Sequence, residues 1–124
     1  MEGQEKIRVK MLRRVLIAAG AALAIGCALV ARRGDVTGEE ARRLVGSGAR
    51  LVDVRTPEEF AERHLPGAVN LPVQDLAHRM GELGSKDQPV VLYCRSGRRS
   101  ARAARVLRDA GFAAVHDLGA MSYW

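Results

Sequence analysis

The chain has 124 residues and a formal net charge of +6, which allows one domain of about 90 residues after a distinct first quarter and leaves no room for a second core. Residues 1–34 hold seven basic and two acidic residues, so +5 of the charge lies there and only +1 in residues 35–124. The basic balance is therefore a property of the amino-terminal segment, and no nucleic-acid partner is expected of the rest.

Residues 1–14 read as a basic tail. From Val15 to Ala31, 17 residues carry no charge, bracketed by Arg13-Arg14 and Arg32-Arg33. As a helix this segment spans roughly 26 Å, slightly less than a hydrocarbon core of about 30 Å. Two readings stay open: an uncleaved transmembrane anchor, and a signal helix cut after small residues such as Gly26 or Ala28. A lipoprotein signal is a third, but Ala24 stands where a lipobox has leucine. Lys6, Arg8, Lys10, Arg13 and Arg14 precede the segment and only two basic residues follow at once. The positive-inside bias then keeps the amino terminus in the cytoplasm and puts the domain outside it, in the periplasm, either single-pass or released by cleavage. Of the two cysteines, Cys27 lies in the apolar segment and Cys94 far from it, so no intrachain disulfide is expected.

Residues 32–36 read as a short linker and 37–124 as the domain. Thr37-Gly38-Glu39-Glu40 is a capping box opening a helix to about Val45, which Gly46-Ser47-Gly48 ends. Leu51–Val54 is an apolar strand. Thr56-Pro57-Glu58-Glu59 is a second capping box with proline at the first helical position. Ala68–Leu71 reads as a short strand, Val73 to about Leu83 as a helix closed by Gly84, and Pro89–Tyr93 as a strand. A helix from Ser100 to about Ala110 follows, stopped by Gly111, and then the strand Ala113–Asp117. Strands alternating with helices imply a parallel sheet covered on both faces.

Cys94-Arg95-Ser96-Gly97-Arg98-Arg99-Ser100 sets one thiol between the end of a strand and the start of a helix. A tight loop there turns backbone N–H groups and the positive end of the helix dipole toward the sulfur, which makes a seat for negative charge and a nucleophile. A cysteine-dependent phosphatase needs an arginine six positions after the cysteine to clamp phosphate. Position 100 is serine, and the arginines at 98 and 99 fit a smaller cradle of six residues, Cys94 to Arg99.

With that loop, the sequence resembles the rhodanese family of single-domain sulfurtransferases. Leu51-Val52-Asp53-Val54-Arg55-Thr56-Pro57-Glu58-Glu59-Phe60 is similar to the family's first signature, and His64-Leu65-Pro66-Gly67-Ala68-Val69-Asn70-Leu71-Pro72 to its second. Gly111-Phe112 and Leu118-Gly119 resemble its closing segment. The resemblance implies a three-layer α/β domain with a central parallel sheet and helices on both faces, here preceded by one transmembrane or signal helix. It also implies sulfur transfer through a persulfide on Cys94, from thiosulfate or a similar small anionic donor to a thiol, cyanide or a protein sulfur acceptor, with no cofactor. Ala120 replaces a usual second glycine, and Trp124 stands where members commonly continue into a final helix; both departures bear on the carboxyl edge.

Ligands of open α/β sheets bind beyond the carboxyl ends of the strands, which gathers Cys94, its loop, Asp53 and Arg55. Arg95 and Arg98 are expected to touch substrate, with Arg99 a weaker candidate and Ser96 a member of the loop. Gly97 is expected where the loop needs a positive φ, and Ser100 as the residue that caps the helix and bonds the loop. Asp53 and Arg55 fit an ion pair bracing the loop better than direct substrate contact. His64 reads as structural, since a thiolate held by N–H groups needs no base, and His78 and His116 carry less signal. No metal-ligand spacing surrounds Cys94. Arg102, Arg105 and Arg108 read as a solvated helix face. The rival readings are a phosphatase or arsenate reductase, disfavoured by the loop length, and a tethered binding, sensing or persulfide-carrier module.

Overall fold

The computed structural model describes residues 31–124. Apart from Ala31, the basic tail and the uncharged segment expected to anchor or export the chain lie outside the described residues, as does Cys27. Among the described residues, no helix is long and apolar enough to cross a membrane.

In chain order the domain comprises α1 (Gly38–Gly46), β1 (Arg50–Asp53), α2 (Pro57–Glu62), β2 (Val69–Asn70) and α3 (Leu76–Arg79), which runs into a 3-10 turn at Met80–Leu83. Then follow β3 (Val90–Cys94), α4 (Arg98–Asp109), β4 (Val115–Ala120) and a last 3-10 turn, Met121–Tyr123. The strands form one parallel sheet in the order β2-β1-β3-β4. Alternating side chains along β1 and β3 feed two cores. Val52, Val90, Leu92 and Cys94 pack with Leu76 of α3 and with Ala103, Ala104 and Leu107 of α4 on one face. On the other, Leu51, Val91 and Tyr93 pack with Ala41 and Leu44 of α1 and with Tyr123 and Trp124. The expected three-layer arrangement is thus present. The carboxyl edge is also packed, Ala120 being fully buried at the end of β4.

Both capping boxes form. Thr37 accepts from the Glu40 N–H and Thr56 from that of Glu59, and each glutamate reaches back to its cap. Three expectations need correction. The segment Val73–Leu83 is not one helix: the Val73 N–H is bound to the carbonyl of Val54, the residue after β1, and only four residues are α-helical before the 3-10 turn. The helix after the loop begins at Arg98, two residues before Ser100. β4 starts at Val115, because the Ala113 N–H is bound to Lys86, and it continues beyond Asp117 to Ala120.

Residues 31–36 do more than link. Arg33 forms an antiparallel bridge to Gly119, and the N–H groups of Gly34, Asp35 and Val36 donate to carbonyls of Leu118 and Asp117. This strap lies along the outer edge of β4, where the strand bulges: Leu92 pairs with Asp117 but Tyr93 with Gly119.

Candidate active site

Cys94 is the last residue of β3 and is fully buried. The chain leaves the strand at Arg95 and Ser96, and turns into α4 at Gly97, whose φ of +95° is in the left-handed region. A side chain there would be strained, and its Cβ would lie 2.4 Å from the Arg32 carbonyl oxygen of the strap. Gly97, not Ser100, is therefore the residue that caps the helix. Its N–H donates to Cys94 Sγ at 3.0 Å, and its carbonyl accepts the first helical hydrogen bond, from Ala101. Of the N–H groups expected on the sulfur, only this one reaches it. Those of Arg95, Ser96, Arg98, Arg99 and Ser100 have no partner among the described residues, so the loop and first helical turn offer unused donors beside the thiol.

Ser100 is buried one turn into α4, with Oγ 3.6 Å from Cys94 Sγ, and donates to the Gly97 carbonyl at 3.2 Å. Its role is to tie the loop to the helix from within. Arg95 and Ser96 are exposed; the Ser96 carbonyl accepts the Arg32 N–H at 2.8 Å, so the strap holds the loop from outside. Arg99 turns to α2 and makes a two-pronged ion pair with Glu59, at 2.6 and 3.0 Å. That guanidinium holds the Glu59 carboxyl down at about 2 and is itself raised by it.

Asp53 and Arg55 form the expected brace. Asp53 is fully buried, and its oxygens accept from Arg55 Nε and from an Arg55 terminal nitrogen, the latter at 2.7 Å. The same Arg55 nitrogen donates to the Arg63 carbonyl at 2.6 Å, and Asn70 Nδ2 donates to the carbonyls of Asp53 and Arg55. Beneath them, Tyr93 is buried with its hydroxyl accepting the Leu65 N–H; burial pushes that phenol well up from its usual range, so it stays neutral. The brace pair separates at the surface. Arg55 lines a cavity of about 400 Å³ with Glu59, Glu62, Arg63, Arg95 and Met121, whereas Asp53 lies behind it. Arg98 is exposed and does not line that cavity. His64 stacks on Phe60 with ring centroids 3.8 Å apart, and its Nδ1 is 2.8 Å from the Phe60 carbonyl oxygen, a structural role.

This arrangement places a buried thiol, unused N–H donors and a positive rim together beyond the carboxyl ends of parallel strands. A family model, Rhodanese-like domain, matches residues 37–124. The chain belongs to that family. Among its relatives are a sulfurtransferase of Allochromatium vinosum, 44% identical over 60% of this chain and 69% of that one, and the thiosulfate sulfurtransferase PspE of Escherichia coli, 32% identical over 56% and 68%. The human single-domain sulfurtransferase TSTD1 has a similar structure, with a TM-score of 0.62 and 31% identity over 72% of this chain and 92% of that one. The protein is thus a thiosulfate sulfurtransferase-like enzyme.

Three contributors to this rhodanese-like site escape a reading of the sequence. Glu59 reads only as a helix-capping glutamate, though it also pairs with Arg99. Asp117 looks like any strand residue, yet it is buried and accepts the Gly119 N–H at 2.8 Å within the bulge. Burial pushes its carboxyl up, against the pull of the Gly119 N–H. Arg32 belongs to a segment that looks like a linker, and only the glycines at 34, 97 and 119, each packed against backbone, hint that chains pass so closely.

Proposed function

We propose that this rhodanese-like enzyme moves sulfane sulfur from thiosulfate, or a similar small anionic donor, to a thiophilic acceptor through a persulfide on Cys94. The Cys94 thiolate attacks the outer sulfur of thiosulfate. The sulfur–sulfur bond of the donor breaks, and sulfite leaves with the electron pair. An acceptor nucleophile, cyanide or a thiolate, then attacks the outer sulfur of the persulfide, and Cys94 departs as thiolate. The two steps balance without a cofactor. The observation that carries this reading is the seat of Cys94, with Gly97 N–H on the sulfur and further unpartnered N–H groups following it. Such donors favour negative charge on the sulfur and on a persulfide extending from it. Arg95 and Arg98, both exposed beside the loop, would attract the dianionic donor. Ser100 stands where a phosphatase cradle needs arginine, and its hydroxyl is turned inward to the loop.

The test is thiocyanate formation from thiosulfate and cyanide. Cys94→Ser should abolish it while the circular dichroism spectrum stays as in the wild type, and Cys27→Ser should leave turnover unchanged. Full activity in Cys94→Ser would refute the mechanism.

We further propose that residues 15–31 tether the domain to the cell membrane on its periplasmic side. Support comes from the 17 uncharged residues and the uneven flanking charge. The full-length protein should stay with membranes after a carbonate wash, and protease outside the cytoplasmic membrane should remove the domain. A soluble form beginning near Leu29 would identify a cleaved signal instead, and a protease-protected domain would refute export.

A further inference from the structure

Six arginines lie between positions 95 and 108, and they divide sharply. Arg99 is ion-paired with Glu59, and Arg108 with Asp35. Arg95, Arg98, Arg102 and Arg105 are exposed and have no acidic partner among the described residues. On α4, positions 98, 102 and 105 follow at intervals of four and three, so they share one face opposite the buried Ala103, Ala104 and Leu107. The stripe covers roughly 10 Å of helix from the Cys94 loop outward.

These charges work against the helix that carries them. Like charges three and four apart repel, each pair by about 0.2–0.5 kcal/mol. The first turn of α4 contains no acidic residue, so Arg98 sits at the positive end of the helix dipole with no acidic residue of its own helix to offset it. α1 and α2 follow the opposite rule, with two glutamates each in their first turns. A locally unfavourable pattern confined to the helix that begins at the nucleophile points to use beyond the fold.

We propose that the arginine stripe of α4 is a docking face for an acidic protein segment carrying the cysteine that accepts sulfur from Cys94. This rests on the persulfide chemistry proposed above. Charge complementarity favours such an occupant, and the stripe's origin at the loop puts a segment lying along it next to the persulfide. There the acceptor thiolate, its proton already released to water, attacks the outer sulfur. A new sulfur–sulfur bond forms, the bond to Cys94 breaks, Cys94 leaves as thiolate, and the acceptor carries the persulfide away. An anionic lipid surface is the competing occupant, but a stripe pressed on lipid would turn the loop away from soluble acceptors.

The test uses the full-length protein, first loaded with thiosulfate and checked by mass for one added sulfur, so that failure of the persulfide chemistry is seen separately. Two peptides serve as acceptors, each with one central cysteine, one flanked by Glu and Asp and the other by Gln and Asn. At low salt the wild type should transfer sulfur to the acidic peptide roughly tenfold faster. Arg102→Gln/Arg105→Gln should lose most of that preference while its loading by thiosulfate at the same salt is unchanged, and high salt should erase the preference of the wild type. Equal rates for the two peptides, or a preference untouched in the double variant, would overturn the proposal. So would vesicles of phosphatidylserine that bind through Arg102 and Arg105 while the peptide preference is absent.

Discussion

β1 and β3 lie side by side and both end in a functional polar residue followed closely by arginine, Asp53 with Arg55 and Cys94 with Arg95, but the two ends behave in opposite ways. At the end of β1 the charges satisfy each other: Asp53 and Arg55 are buried, doubly bonded and tied to the carbonyl of Arg63. At the end of β3 the polar groups are held ready. Cys94 accepts one N–H, the following donors are unpartnered among the described residues, and Arg95 and Arg98 face solvent. One end is scaffold and the other is free for the proposed chemistry, and the sign that separates them is whether a polar group already has its partner.

Breaking the scaffold end should cost most. Asp53→Asn leaves the Arg55 guanidinium buried without its counter-charge, and a loss of about 3–5 kcal/mol is expected in urea unfolding. Removing both charges with Asp53→Asn/Arg55→Met should cost less than Asp53→Asn alone. A double variant as unstable as the sum of its parts would show that the two groups act separately.

Next comes the hinge between strand and helix. Gly97→Ala forces a side chain into positive φ and toward the Arg32 carbonyl, and should lower stability by about 1–3 kcal/mol and thiocyanate formation with it. Unchanged values for both would mean that strap and loop are not packed as described.

Glu59→Gln loosens the link from α2 to the loop helix, at about 1–2 kcal/mol. The Glu59 carboxyl titrates at about 2, well below its ordinary 4.5, because Arg99 favours the charged form. A depressed carboxylate contributes stability that is present above its ordinary range and lost as pH falls toward about 2. The stability gap between wild type and Glu59→Gln should therefore be steady near neutrality and close on acidification below about 4.5. A gap that widens with acid would contradict the pairing.

The smallest structural effect is expected at the chemical end. Arg98→Ala should change stability by less than about 0.5 kcal/mol, since its side chain is exposed. Its mark should instead be a raised KM for thiosulfate at low salt. Added salt should bring the wild type toward the variant, because exposed charges are screened beyond about 8–10 Å. Equal kinetics at low salt would remove Arg98 from substrate attraction.

What the sequence shows of this molecule follows the same division. Local signals are legible: the two capping boxes, the apolar run ending at Cys94, and the proline that starts α2 all read correctly because neighbours in sequence create them. The brace of Asp53 and Arg55 is legible for the same reason, the partners being two residues apart. What stays hidden depends on distance along the chain. The pairing of Glu59 with Arg99 spans 40 residues, and the strap from Arg32 to Ser96 crosses from one end of the domain to its middle. Ser100 reads as a cap because hydroxyls usually cap helices, yet a left-handed glycine starts this helix and frees the hydroxyl to face inward. The Val73–Leu83 segment has helical composition, but a tertiary hydrogen bond to Val54 overrides its first turn.

The proposed sulfur transfer turns on one atom, Sγ of Cys94. The decisive experiment is intact-mass measurement of the protein after thiosulfate treatment and removal of excess donor. The expected result is the gain of one sulfur atom, mapped to Cys94, reversed by cyanide and absent in Cys94→Ser. No gain of mass in the folded wild type, or an equal gain in Cys94→Ser, would contradict it.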